Sequence, residues 1–190
     1  MRLLVTGALG AVGRTVMTAF PDSVGLDIRP GTDITADLGT IDYNDPRIVT
    51  ALTNVDALVH LGTSPNPKAA DEVHWQAVSN CARLLQAAQR MQVKNVVLAS
   101  SNWAEPINPA MIINAYGDSK RVFEQLAAMY DHGEGQRAVA LRIGWVPHSP
   151  DQYTKAEQWL KDNFWSGERL IDEMRRALGL ADGQHKTANS

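Results

Sequence analysis

At 190 residues the chain is long enough for one domain with a full core, and its formal net charge of −3 offers no basic excess for nucleic acid. The lone cysteine, Cys81, leaves no disulfide framework or cysteine metal site, and the five histidines are scattered without a close pair, so no metal is expected. No apolar run approaches the ~20 residues that span a bilayer, and the short apolar start ends in glycines rather than a signal-peptide cleavage site, so a soluble cytoplasmic protein is expected.

The first strand is Arg2–Thr6. It runs into three glycines, Gly7, Gly10 and Gly13, spaced G-x-x-G-x-x-G, and a helix follows from about Gly10 to Phe20, stopping before Pro21. Strand, glycine turn and helix start in that order make a phosphate site. The helix N-terminus offers unpaired N–H groups and partial positive charge, and glycine lets the backbone approach a pyrophosphate without a Cβ in the way. A dinucleotide site is the expectation. The second strand, Ser23–Asp27, ends in an acid 20 residues after Gly7. A carboxylate there accepts ribose hydroxyls and repels a 2′-phosphate, which favours NAD over NADP, although Arg29 two residues on blunts the preference and NADP is not excluded. The alternative for Asp27 is a strand-ending acid with no ligand.

A third short strand is read at Thr32–Leu38 and a helix at Asp45–Leu52, capped by Asn44 or Asp45 with Pro46 in its first turn. The run Val55–Leu61 is a buried strand leading into the small-residue loop Gly62-Thr63-Ser64-Pro65, and ligands of open parallel sheets sit at such strand ends. His60, inside the apolar run, is expected to be a core histidine with a satisfied partner. A long helix covers Ala69–Met91, with Val73, Ala77, Leu84, Ala88 and Met91 on its apolar face and Leu85 beside it. The strand Asn95–Ser100 ends in Ser101-Asn102-Trp103, a loop rich in Pro and Asn follows, and the next helix runs from Ala115 to about Asp131, closed by Gly133 and Gly135. The sixth strand, Arg137–Ile143, ends in Gly144-Trp145-Val146-Pro147. After Pro150 the alternation stops: two helices are expected at Tyr153–Phe164 and Ser166–Leu178, then a polar, aperiodic stretch at 179–190 that reads as a disordered tail. This order is an α/β, doubly wound parallel sheet.

A second chemical set is Ser101 with Tyr116-x-x-x-Lys120. Tyrosine and lysine four apart share a helix face. A phenol titrates near 10, too high for a base at neutral pH, and a nearby ammonium favours the phenolate. A serine hydroxyl from the neighbouring strand end can orient a substrate oxygen while the tyrosine takes its proton and hydride leaves the same carbon.

Together Thr6-Gly-x-x-Gly-x-x-Gly13, Asp27, Asp37-Leu38, His60-Leu-Gly62, Ser100-Ser101 and Tyr116-Gly-x-Ser-Lys120 resemble the extended short-chain dehydrogenases/reductases, the NAD-dependent epimerase/dehydratase superfamily. Ala99-Ser-Ser-Asn102, Leu141-Arg-Ile-Gly144 and Pro150-Asp-Gln-Tyr153 followed by Trp159 look most like its uronate dehydrogenase branch. The resemblance covers about residues 1–178. It implies a Rossmann fold with a NAD(P)-binding domain at 1–150, a truncated helical substrate lobe packed on it at 151–178, and a homodimer formed through the long helix and the Tyr-Lys helix. It implies that Gly7, Leu9, Gly10, Val12 and Gly13 line the pyrophosphate, Asp27 and Ile28 meet the adenosine ribose, and Asp37 and Leu38 the adenine. Leu61, Gly62, Thr63 and Ile143 lie beside the cofactor. Tyr116 is then the base, Lys120 its partner and Ser101 the orienting hydroxyl, while Ser64, Asn102, Trp103 and Trp145 meet substrate. The reaction implied is C1 oxidation of a hexuronate with NAD reduced.

The chain departs from the branch in places. Thr154 follows Tyr153 where the branch has a carboxylate-gripping arginine, Trp145 stands for a small serine, and Ala77 for an asparagine in the long helix. Lys155 can replace the arginine only as a point charge. Two readings therefore stand: an NAD-dependent oxidoreductase acting on a sugar-like or small hydroxyl/carbonyl substrate, and an NAD-binding sensor or partner protein without turnover.

Overall fold

The computed structural model describes residues 1–105, 114–131 and 135–180. The Pro- and Asn-rich loop at 106–113, the helix-ending Gly133 and the tail from residue 181 lie outside them.

Six strands form one sheet: β1 (Leu3–Thr6), β2 (Val24–Asp27), β3 (Ile34–Thr35), β4 (Ala57–His60), β5 (Asn95–Ser100) and β6 (Arg137–Arg142). Their order is β3-β2-β1-β4-β5-β6, with every neighbouring pair parallel. The chain crosses from one half to the other between β3 and β4, so the switch point falls at β1 and β4, where an open α/β sheet presents its ligand crevice.

Side chains alternate across each strand and fill two separate cores. On one face Leu4, Leu26, Leu58, Val96 and Leu98 pack under α2 (Pro46–Thr53), α3 (Asp71–Arg90) and α4 (Ala115–Tyr130), which contribute Ile48, Leu84 and Phe123. On the other face Leu3, Val5, Val59 and Val97 pack against Val16 of α1 (Ala11–Ala19) and Ile171 and Met174 of α7 (Gly167–Ala177). Helix α7 thus shares the sheet's own core, and the break at residue 150 marks a change of sequence pattern more than of packing. Helices on both faces make this a Rossmann-type, doubly wound sheet.

Several boundaries differ from those read in the sequence. The third strand shrinks to Ile34–Thr35, because Asp33 turns its carboxylate to the Gly25 N–H at 2.8 Å instead of continuing a ladder. Asp45 is the cap of α2: its side chain accepts the Arg47 N–H. The expected helix at 153–164 is two short ones, α5 (Pro150–Lys155) and α6 (Gln158–Asp162), separated where Ala156 takes an extended backbone. On α3 Val73 is 44% exposed, and the inward stripe is His74, Ala77, Cys81, Leu84 and Ala88.

Candidate active site

The glycine turn is fixed from two sides. Gly7 and Ala8 donate to the Leu26 carbonyl of β2, and Gly10 donates back to the Gly7 carbonyl. Gly7 has φ +72°, and a Cβ there would lie 2.7 Å from the Leu61 carbonyl carbon, so the turn packs backbone to backbone against the loop after β4. A Cβ on Gly13 would stand 2.2 Å from the Gly7 carbonyl oxygen. Helix α1 begins with no side-chain cap and no acid in its first turn. Its N–H groups are therefore left to a bound anion or solvent.

At the end of β2, Asp27 is buried and accepts the Leu9 N–H at 2.9 Å. It also accepts the Arg29 N–H at 3.0 Å and the Arg29 guanidinium at 3.1 Å. Burial works against the charge, but the Arg29 and backbone hydrogen bonds outweigh it and hold the carboxyl below its usual range. Ile28 beside it is 65% exposed. Asp37 turns the chain after β3 by accepting the Gly39 N–H, and Leu38 is buried. The buried acid with exposed Ile28 at the end of β2 and the uncapped start of α1 after β1 offer what a dinucleotide's ribose and pyrophosphate need.

The second set lies at the ends of β4 and β5. Thr6 and His60, paired across β1 and β4, place Oγ1 and Nδ1 2.7 Å apart, and the Gly62 N–H donates to the same hydroxyl at 3.3 Å. His60 is only half satisfied, since its Nε2 is buried without a partner. Burial, helped by the Lys120 charge, pushes its pKa down to about 3, so it stays neutral. Lys120, 3% exposed, reaches from α4 under this loop and donates to Thr63 Oγ1 at 2.9 Å and the Ala99 carbonyl at 3.2 Å. Burial lowers its pKa to about 8.

Ser101 follows β5, caps the 3₁₀ turn Asn102–Ala104 by accepting the Trp103 N–H at 3.3 Å, and lies near enough to the Tyr116 hydroxyl to draw its pKa down. The Lys120 ammonium lies 5.3 Å from the centre of the Tyr116 ring. The expected lowering of the phenol by that ammonium does not hold here: burial raises the phenol, the nearby Ser101 hydroxyl opposes it more weakly, and the lysine's own hydrogen bonds go to Thr63 after β4 and to the Ala99 carbonyl in β5.

Around Tyr116 two rings stand edge-on, Trp103 with its centre 6.0 Å away and His74 at 5.5 Å. Among the expected substrate contacts, Ser64 accepts the Asn66 N–H, Asn102 donates to Asn163 Oδ1 at 3.2 Å, and Trp145 stacks on Tyr153 with 6.1 Å between centres. Trp145 also forms a parallel bridge with Phe164, and Ile143 donates its N–H to the Ser100 carbonyl. Asn163 and His74 were missed in the sequence. The helical spacing of His74 with Ala77, Cys81 and Leu84 was the signal for the second; nothing local pointed to the first. A groove of about 680 Å³ between α1 and α7, lined by Arg14, Gly167 and Asp172 among others, shares no residue with this set. Among the described residues no group of three or more His, Cys, Asp or Glu could hold a metal ion, and no helix is long and apolar enough to cross a membrane.

Residues 3–147 match the model of the NAD dependent epimerase/dehydratase family. The chain belongs to that family. Among curated relatives of this family member, a uronate dehydrogenase of Pseudomonas syringae pv. tomato is 28% identical over 97% of this chain and 72% of its own length. An L-arabinose 1-dehydrogenase (NAD(P)(+)) of Haloferax volcanii is 30% identical over 96% of this chain and 78% of its own. A solved short-chain dehydrogenase/reductase superfamily protein from Agrobacterium tumefaciens, with bound NAD, superposes with a TM-score of 0.65 at 26% identity. That alignment takes in 95% of this family member but only 60% of the solved chain.

Proposed function

We propose that this protein is an NAD-dependent oxidoreductase moving hydride between nicotinamide and a hydroxyl or carbonyl of a sugar-like substrate. The observation that carries the reading is the convergence, at one end of the sheet, of the uncapped glycine turn with Asp27 and of the Ser101–Tyr116 hydroxyl pair with buried Lys120. The names of the relatives, a uronate dehydrogenase and an arabinose 1-dehydrogenase, favour C1 of a sugar or sugar acid as the reacting carbon.

Bound NAD supplies the hydride acceptor. Gly7, Leu9, Gly10, Val12 and Gly13 hold its pyrophosphate; Asp27 and Ile28 hold the adenosine ribose; Asp37 and Leu38 flank the adenine; Leu61, Gly62, Thr63 and Ile143 border the nicotinamide half. Ser101 donates a hydrogen bond to the substrate oxygen and orients it. Tyr116 removes the proton from that oxygen as the carbon gives up hydride. With its pKa near 8, Lys120 stays mostly charged at neutral pH, and its ammonium 5.3 Å from the ring is the cation available to offset the burial that raises the phenol. Ser64, Asn102, Trp103 and Trp145 surround the substrate. Two copies associate through α3 and α4, where Trp75 and Met129 are exposed.

The test is to follow nicotinamide reduction by absorbance with a panel of uronates, aldoses and polyols. Tyr116→Phe is expected to cut turnover by about 10²–10⁴-fold while leaving NAD affinity unchanged. One observation favours the second reading, an NAD binder without turnover: Tyr116 is raised, not lowered, in its resting environment. Tight NAD binding with no turnover on any of these substrates would establish that reading instead.

A further inference from the structure

Ser101 belongs to the turn after β5, and Tyr116 to the first turn of α4. Both ends of the span that carries Ser101 are tied to one ion pair. Ser100, on the α4 side of the sheet with Val96 and Leu98, donates its hydroxyl to Glu124 Oε1 at 2.7 Å. Glu124 lies on α4 one turn beyond Lys120. Arg142 ends β6 beside Ser100 and holds the same carboxylate as a fork, Nε to Oε1 at 2.7 Å and Nη2 to Oε2 at 3.0 Å. Its Nη1 donates to Glu105 Oε2 at 2.6 Å, and Glu105 closes the 3₁₀ turn that Ser101 opens. Ser100 is thus held through Glu124 and Glu105 through Arg142, with Ser101 between them. Arg121 of α4 adds a hydrogen bond to the Ala104 carbonyl at 3.3 Å. The Glu124 and Arg142 side chains are 23% and 38% exposed. A two-bond charged pair in that setting has a strength and direction that a fully exposed pair lacks.

We propose that Glu124 and Arg142 are positioning residues: their fork ties both ends of the Ser101 turn to α4 and thereby sets the Ser101 hydroxyl against that of Tyr116. The role rests on the reading of Ser101 as the orienting hydroxyl and Tyr116 as the base, and it acts through Ser101. Tyr116 is faced by Lys120 on its own helix, by His74 on α3, and by Ser101 and Trp103 after β5. Among these, the Ser101 hydroxyl is what draws the phenol down against burial. A Ser101 turn that drifts from α4 leaves burial less opposed, and the phenol then ionises at higher pH. A fork that only fastened helix to sheet would change stability and leave that ionisation where it is.

The experiment compares the wild-type protein with Glu124→Gln, Arg142→Lys and Glu105→Ala. Each is followed by NMR titration of tyrosine labelled at Cζ, the Tyr116 signal being assigned by its absence in Tyr116→Phe, and by the pH dependence of kcat, with folding verified by circular dichroism. Glu124→Gln keeps an acceptor for Ser100 and loses the charged fork. Arg142→Lys keeps the charge and cannot hold both carboxylates in the same geometry. Glu105, with its side chain 74% exposed, can be shortened without disturbing the core. In Glu124→Gln and Arg142→Lys the Tyr116 ionisation is expected to move up by about one pH unit, which cuts the phenolate at neutral pH, and kcat with it, about tenfold. Glu105→Ala should move both in the same direction by less, because Arg121 still holds Ala104. NAD affinity should not change. A Tyr116 ionisation unmoved in every variant that folds, whatever the change in stability, would overturn the positioning role while leaving the proposed reaction standing. The phenol titration needs no turnover: a shifted phenol in a protein that turns over none of the sugars would uphold the fork and overturn the proposed reaction instead.

Discussion

The Lys120 ammonium donates to the Thr63 hydroxyl at 2.9 Å and so ties helix α4 to the loop that leaves β4. It does this while almost wholly buried and, among the described residues, with no carboxylate as a hydrogen-bond partner. A fall in pKa from 10.5 to about 8 means that the folded state holds this charge at a penalty of about 3 kcal/mol. The penalty is present at neutral pH and relaxes as pH rises from about 8 towards 10.5, where the unfolded chain binds the proton and the folded chain does not. Lys120→Met is therefore expected to lose turnover yet melt higher than wild type at pH 7. The gap should narrow on titration to pH 10. Chemical denaturation across that range measures it; a variant less stable than wild type at pH 7 would show that the hydrogen bonds outweigh the burial penalty.

The glycine turn separates architecture from binding. Alanine at Gly7 must take φ +72° and collide with the Leu61 carbonyl, and alanine at Gly13 must displace the Gly7 carbonyl. Each is expected to cost about 1–3 kcal/mol of stability. A Cβ at Gly10 meets only the Gly7 oxygen, at 3.2 Å, and the backbone there is ordinary. Gly10→Ala is expected to change stability by less than about 1 kcal/mol while weakening NAD markedly, since the proposed cradle puts the pyrophosphate against Gly10. Denaturant midpoints alongside NAD titrations distinguish the two effects. Unchanged NAD affinity in a stable Gly10→Ala would count against the cradle.

Most of the sheet was legible because buried parallel strands read as short continuous apolar runs; Asn95–Ser100 was read at its full extent. The pairings that shape the substrate side were not legible, because they join segments far apart in sequence. Trp145 bridges Phe164, and Asn102 reaches Asn163, contacts that no local periodicity encodes. The Tyr116–Lys120 spacing correctly placed both residues on α4, but spacing carries no information on burial. The structure supplies it: burial raises the phenol of Tyr116, and the buried lysine's hydrogen bonds go to Thr63 and Ala99. The half-satisfied state of His60 was hidden for the same reason: a histidine in an apolar run reveals its burial, not its partners.

Acid should unfold the protein in two stages. His60 is held neutral down to about pH 3 in the fold but protonates near 6.5 when unfolded, so the unfolded chain binds more protons and stability falls as pH drops below 6.5. Glu124 is held below 4.5 by its Arg142 hydrogen bond, against opposing burial, with Ser100 adding to the depression. Asp27 is held below 3.8, burial opposing and Arg29 prevailing. Both carboxylates contribute stability that is complete above those values and lost as pH falls through their folded pKa. Denaturant midpoints from pH 7 to 3 are expected to show a decline beginning near 6.5 and steepening below 4.5. His60→Gln, which keeps a partner for Thr6, should remove the first limb only. Equal slopes for wild type and variant between pH 6.5 and 4.5 would show that His60 does not titrate on unfolding.

The outward surfaces of α3 and α4 carry Val73, Trp75 and Met129 at 44%, 67% and 63% exposure, beside the helices that hold His74 and Tyr116 inward. Val73 and Trp75, both exposed on α3, leave apolar area in water at about 25 cal/mol per Å², and helix-on-helix packing with a second copy would remove it. The same two helices carry the site on their other faces, so association would also stiffen the Tyr116–Lys120 turn. Light scattering at micromolar concentration is expected to give twice the 20.8 kDa chain mass. Trp75→Glu combined with Met129→Glu should shift it to one chain mass without unfolding, because neither side chain belongs to the core. A wild-type protein of one chain mass at these concentrations would dispose of the homodimer and require another role for Trp75.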